Sequence, residues 1–152
     1  MNKEIFNINH VFTDVIANSK KQAFEIIALK FYLLGFTTDK NKALKGLKKR
    51  EKEGSTGFND GIAIPHAKIK EITKPGEFVF KFKNGVEWDS IDNSLVTIAI
   101  ALAIPENDSA NDHLKILSSI ARKLVDDDFR KDLNKANNVD QLYQLISKVE
   151  II

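Results

Sequence analysis

The chain has 152 residues, 43% hydrophobic and 29% charged, which suits one soluble globular domain able to bury a core without staples. Its 23 basic and 21 acidic residues leave a net charge of +2, no general argument for nucleic acid, and the absence of cysteine excludes disulfides, thiolate metal sites and a cysteine nucleophile. The longest apolar run, Ile98 to Ile104, is seven residues, far short of the about 20 needed to span a bilayer, so no membrane insertion is expected. The N-terminal Met-Asn-Lys-Glu-Ile-Phe lacks an extended apolar stretch of signal-peptide type, and the expected location is cytoplasmic.

Residues Ile5 to Val15 read as a short strand or extended lead-in with a turn at Thr13 and Asp14. From Ser19 the apolar spacing becomes helical through Ala23, Ile26, Ile27 and Leu34, with Gly35 as the stop. A second helix is expected after Thr38 or Asp39, burying Ala43, Leu44 and Leu47 and ending near Arg50 to Glu53. Gly54 to Gly61 is a loop by composition, and Ile62 to Ile64 a short strand. Glu77 to Lys83 alternates strictly, with Phe78, Phe80 and Phe82 on one face, and reads as a half-buried strand. Asn84-Gly85 signals a tight turn. Leu95 to Ile104 is apolar on both faces, as a central strand should be, and Pro105 ends it. Leu114, Leu117, Ile120, Ala121 and Leu124 have helical spacing after an Asn111 or Asp112 cap. Two shorter helices follow, over Phe129 to Leu133 and Val139 to Ile146, the last capped by Asn138. With no repeat, low-complexity tract or linker, residues 1–152 read as a single α/β domain in which helices flank a mixed sheet.

The most informative stretch is Ser55-Thr56-Gly57-Phe58-Asn59-Asp60-Gly61-Ile62-Ala63-Ile64-Pro65-His66. A glycine-punctuated loop runs into an apolar strand, and Pro65, lacking an N–H, is expected to stop the pairing and leave His66 at the rim of a sheet. Together with Arg50-Glu51 upstream, this run resembles the phosphorylation-site signature of enzyme IIA of the fructose–mannitol type. That family serves the bacterial phosphoenolpyruvate-dependent sugar phosphotransferase system. The resemblance implies a phosphotransferase with a phosphohistidine at His66, charged by the phosphocarrier protein HPr and discharged to an enzyme IIB linked to a membrane IIC. The matching IIB domains carry phosphate on cysteine, which this chain lacks, so the acceptor is expected to be a separate protein.

Imidazole suits such a relay: neutral near pH 7 it is nucleophilic, and the N–P bond it makes is labile. The loose transition state spreads charge over three oxygens, so the site needs aimed donors as well as a nucleophile. His113 lies in Asn-Asp-His-Leu-Lys-Ile-Leu, which resembles the family's second histidine stretch and implies a hydrogen-bond donor to phosphate; the alternative is an exposed first-turn histidine. Arg50 is expected to offer a guanidinium fork, against the alternative of a solvated basic helix end among Lys45, Lys48, Lys49 and Lys52. Ser55 and Thr56 are placed near the phosphate, Gly57 and Gly61 in tight turns. His10 has no motif around it. Asp126-Asp127-Asp128 reads as a helix cap, and no metal or other cofactor is expected. Two other readings are carried forward. One is a regulatory paralogue, of nitrogen type, whose phosphorylation state is read by a partner. The other is a metal-binding domain using His66 and His113, which lacks a dense ligand cluster.

Overall fold

A computed structural model of the chain describes residues 2–107 and 112–149, apart from the side chains of residues 112 and 113. A 3-10 turn at Ile8–His10 leads into strand β1 (Val11–Val15), followed by helices α1 (Lys20–Leu33) and α2 (Lys40–Glu53). Strands β2 (Ile62–Ala63), β3 (His66–Ile69), β4 (Gly76–Val86) and β5 (Val96–Pro105) come next, then helices α3 (Asp112–Lys123), α4 (Asp127–Lys135) and α5 (Val139–Ser147). Among the described residues the sheet has the order β1-β4-β5-β2, with β3 on the same edge of β5 as β2. β4 and β5 are antiparallel, and every other pair is parallel. This is the mixed α/β arrangement expected from the sequence.

The pleat of β5 sorts the core. Ala99, Ala101 and Ala103 face α1 and α2, while Ile98, Ile100, Leu102 and Ile104 face α3, α4 and α5. Phe78 lies opposite Ala101 and Phe80 opposite Ala99 in the register, so large rings on one strand fill the space small side chains leave on the next. The phenylalanine stripe is therefore core. β4 is buried on both faces at its start, since Glu77 and Val79 are as inaccessible as the phenylalanines, and it opens to solvent from Lys81 onward, at Lys81, Lys83, Asn84 and Gly85. The half-buried strand expected from its alternation is thus half-buried only in its second part.

Four local expectations change. Thr13 and Asp14 make no turn; Asp14 takes a positive φ of 54° inside β1, and the register with β4 slips there, as in a bulge. Asn84-Gly85 makes no hairpin either. β4 runs on to Val86, which pairs with Val96 and is buried, so the reversal falls in the following residues, where Asp89 and Asn93 have positive φ. Pro65 interrupts the edge strand without ending it: its carbonyl still accepts Leu102 N–H, and β3 resumes against β5 in the same register as β2. Along α3 the buried positions among the described side chains are Ile116, Ser119 and Ile120, with Leu124 just past its end, whereas Leu114 is exposed. Asp112 is a helical residue and not the cap, and the Asn111 alternative lies outside the described residues.

The helix ends obey their sequence signals. Ser19 accepts Gln22 N–H before α1, Asp39 accepts Asn41 and Lys42 N–H before α2, and Gly35 supplies the positive φ that ends α1. Asp126 and Asn138 cap α4 and α5 in the same way, each such cap contributing about 1 kcal/mol. Among the described residues no helix is long and apolar enough to cross a membrane. α2 packs its Gly46 face onto β3, where an added Cβ would lie 3.0 Å from Ile69 and 3.1 Å from Ala67. That contact brings the last turn of α2 against the first residue of β3.

Candidate active site

The loop between α2 and β2 is a small hairpin folded back on the strand it feeds. Phe58 N–H donates to Ile62 O (2.7 Å) and Ile64 N–H to Thr56 O (2.9 Å), around a tip in which Asp60 and Gly61 both have positive φ. Gly61 suits that conformation, and a side chain on it would lie 2.9 Å from Leu95 O. Gly57 has a different reason: a Cβ there would press into Ser90, 2.9 Å from its Cα. The tip is tied down by Asp92, which accepts Asp60 N–H, by Ser94, which accepts Gly61 N–H, and by the Arg130 guanidinium on the Asp60 carboxylate.

His66 opens β3 half-buried. Its Nδ1 lies 2.9 Å from Ile64 O. A carbonyl can only accept, so Nδ1 carries the proton and Nε2 keeps its lone pair. Arg50 Nε–H donates to that lone pair across 3.1 Å, and Arg50 Nη1 donates to Gly54 O at 2.8 Å. Burial lowers the histidine pKa and the guanidinium charge acts the same way, opposed by the Ile64 hydrogen bond and by Glu51 and Glu53. The net result is a neutral ring near pH 7, one nitrogen protonated and fixed, the other unprotonated beside a cation. Such a nitrogen is a nucleophile with a donor already at hand.

These observations place Arg50 and His66 together, from an α-helix end and a strand start brought side by side by the α2–β3 packing. The model of the family described as "Phosphoenolpyruvate-dependent sugar phosphotransferase system, EIIA 2" matches residues 4–149. The chain belongs to that family. It is 36% identical over 137 residues to a nitrogen regulatory protein of Escherichia coli, covering 90% of this chain and 83% of that one. It is 31% identical over 115 residues to a fructose-specific EIIA component of Haloferax volcanii, covering 76% of this chain and 74% of its relative. Among solved structures, a nitrogen regulatory protein of Neisseria meningitidis superposes with a TM-score of 0.85 at 27% identity, over 94% of this chain and 97% of that one.

In this EIIA domain the other expected site residues have separate positions. The Ser55 hydroxyl donates to Trp88 O (2.9 Å) and accepts Gly57 N–H (3.1 Å). Thr56 is buried, its hydroxyl donating to Glu51 Oε2 at 2.7 Å and accepting Trp88 Nε1–H at 3.1 Å. Both hydroxyls thus serve the loop's own framework. His113 is the second residue of α3, and its side chain lies outside the described residues. Three contributors were not singled out from the sequence: Glu51, Trp88 and Lys20. Glu51, its side chain only 7% exposed, receives Thr56 N–H, Thr56 Oγ1–H and the Lys20 ammonium. Its place beside Arg50 in the motif was the available signal, and the chain's one tryptophan, whose indole N–H needs a buried partner, was another.

Proposed function

We propose that this EIIA domain is a phosphoryl carrier with His66 Nε2 as its phosphorylated atom. The carrying observation is the Nδ1–H contact with Ile64 O, which leaves Nε2 as the ring's basic nitrogen. The Nε2 lone pair attacks phosphorus, and the N–P bond of an incoming phosphohistidine, of HPr type, breaks with its electron pair returning to the donor imidazole. No water or metal enters the balance. Once Nε2 bonds to phosphorus its lone pair is gone, so the Arg50 N–H turns from nitrogen to a phosphoryl oxygen, where charge accumulates in the loose transition state. The Ile64 carbonyl keeps the proton on Nδ1 throughout. The phosphorylated ring therefore departs as neutral imidazole when phosphate moves on, to an enzyme IIB in this reading. His113 is proposed as a second donor to the phosphoryl group, from the first turn of α3.

Incubation with phosphoenolpyruvate, enzyme I and HPr should add one acid-labile phosphate, read by mass spectrometry. It should be absent from His66→Gln and retained, with slower onward transfer, in His113→Ala. Phosphate persisting on His66→Gln would overturn the assignment.

A regulatory destination is a second reading, favoured by the nitrogen regulatory names of the relatives in Escherichia coli and Neisseria meningitidis. The carrier chemistry at His66 is common to both. Transfer of phosphate from the labelled protein to a fructose- or mannitol-type IIB supports transport. A labelled protein that holds its phosphate before every such IIB, yet binds a partner in only one phosphorylation state, supports regulation.

A further inference from the structure

The geometry points to Glu51 as a positioning residue that selects the tautomer of His66 through the backbone of the signature hairpin. This rests on the reading of His66 as the phosphoryl acceptor for its consequence, but the tautomer itself can be measured without any phosphate. Four links make the connection. The Glu51 carboxylate receives Thr56 N–H at 3.1 and 3.2 Å and Thr56 Oγ1–H at 2.7 Å, anchoring that residue to the end of α2. Thr56 O then accepts Ile64 N–H at 2.9 Å. Ile64 precedes a proline, whose ring confines it to extended backbone, so once its N–H is anchored its carbonyl has one direction available. That carbonyl is the one 2.9 Å from His66 Nδ1.

The two ends of this path start from neighbouring residues. Arg50 reaches Nε2 directly, and Glu51 governs Nδ1 through Thr56 and Ile64. One helical terminus thereby holds both nitrogens of one ring. The arrangement is braced on its far side: Lys20 Nζ lies 3.3 Å from Glu51 Oε1, and Trp88 Nε1–H donates to Thr56 Oγ1. A carboxylate this enclosed is held by charge-assisted hydrogen bonds, which are stronger and more directional than neutral ones. Losing them frees Thr56 and lets Ile64 O drift from the ring, so Arg50 N–H on Nε2 is left to hold the tautomer, and the proton reaches Nε2 whenever that guanidinium swings away. A protonated Nε2 has no lone pair for phosphorus, so the acceptor fraction falls in proportion.

The test is the nitrogen chemical shifts of the His66 ring in 15N-labelled protein above its titration, with the rate of phosphoryl uptake from HPr measured on the same samples. The wild type should hold the proton almost wholly on Nδ1. Glu51→Ala should raise the Nε2–H tautomer to about half and slow uptake by the matching factor, about twofold. Thr56→Val is the second variant: it keeps the Glu51 charge, so any shift it causes comes from the lost link and not from a changed field at the ring. It should move the tautomer in the same direction by less, because the Thr56 N–H bonds remain, and Thr56→Ser should restore the wild-type ratio. Should both Glu51→Ala and Thr56→Val fold with an unchanged tautomer ratio, the proposal is overturned. A wild type that takes no phosphate on His66 would instead refute the function, leaving the tautomer comparison to decide this inference by itself.

Discussion

His66 and His10 are built alike and placed differently. Each ring hands Nδ1–H to a main-chain carbonyl, Ile64 O at 2.9 Å for one and Glu77 O at 3.0 Å for the other, and in each burial lowers the pKa. His10 is 4% exposed, stacked on Phe78 at 4.5 Å and edge-on to Phe36 at 5.2 Å, with the neutral Asn7 Nδ2 3.5 Å from its other nitrogen. His66 opens an edge strand, half-exposed, with an arginine on its other nitrogen. A fixed tautomer is thus a common structural device. Access and a cation at the second nitrogen are what the proposed phosphoryl acceptor has and the packed histidine lacks.

The largest expected effect comes from removing that separation at Arg50. Arg50→Lys keeps the charge but loses the fork that can follow two phosphoryl oxygens, and should slow transfer between HPr and the protein by about 10- to 100-fold. Lys49→Ala, on the exposed side of α2, should behave as wild type. Equal losses in the two variants would reduce Arg50 to part of a diffuse basic patch.

The converse change at His10 should cost stability and spare chemistry. His10→Ala deletes a ring packed among three phenylalanines and leaves Glu77 O without its donor, so unfolding free energy should drop by about 2–4 kcal/mol. Phosphoryl uptake at a temperature where the variant stays folded should be unchanged; a loss there would tie His10 to the site after all.

Glu77 extends the same buried region. Among the described residues neither of its buried carboxylate oxygens has a hydrogen-bond partner, and burial pushes its pKa up to about 8. A folded-state pKa above the unfolded value means the stability linked to this group is complete below about 4.5 and is lost as pH rises through about 8. Glu77→Gln should flatten that decline and melt higher than wild type above about pH 8, as thermal scans across pH can show. A wild type whose melting temperature holds steady through that window would show the carboxyl to be solvated or paired in solution.

The smallest effect is in the pH profile. With its pKa lowered, chiefly by burial, His66 should stay neutral below the ordinary histidine value of 6.5, so uptake should hold its plateau past that pH before falling. NMR titration should find His66 and His10 both below 6.5. A His66 titrating above 6.5 would mean that Glu51 and Glu53 outweigh burial and Arg50.

Much of this was legible in the chain because it depends on neighbours in sequence. Ser19, Asp39, Asp126 and Asn138 cap helices with their own side chains, and the two-face apolar run of β5 marks a central strand wherever it is placed. The Arg-Glu and Gly-Ile-Ala-Ile-Pro-His motifs likewise single out Arg50 and His66, which the fold brings within 3.1 Å of each other. What the chain did not disclose depends on partners distant in sequence. Asn84-Gly85 has the composition of a turn, yet Val86 gains more from pairing with Val96 in the core than a tight reversal would return. Pro65 has the look of a strand end, but β5 offers a continuous ladder on which β3 resumes, placing His66 inside the register. Thr56 is a polar loop residue in the sequence, and only the approach of Trp88 and Glu51 turns its hydroxyl inward. The contact that fixes the His66 tautomer spans only two residues, whereas the packing of α2 on β3 decided that Arg50 meets the other nitrogen: a hydrogen bond between remote segments exists only once the chain has closed around it.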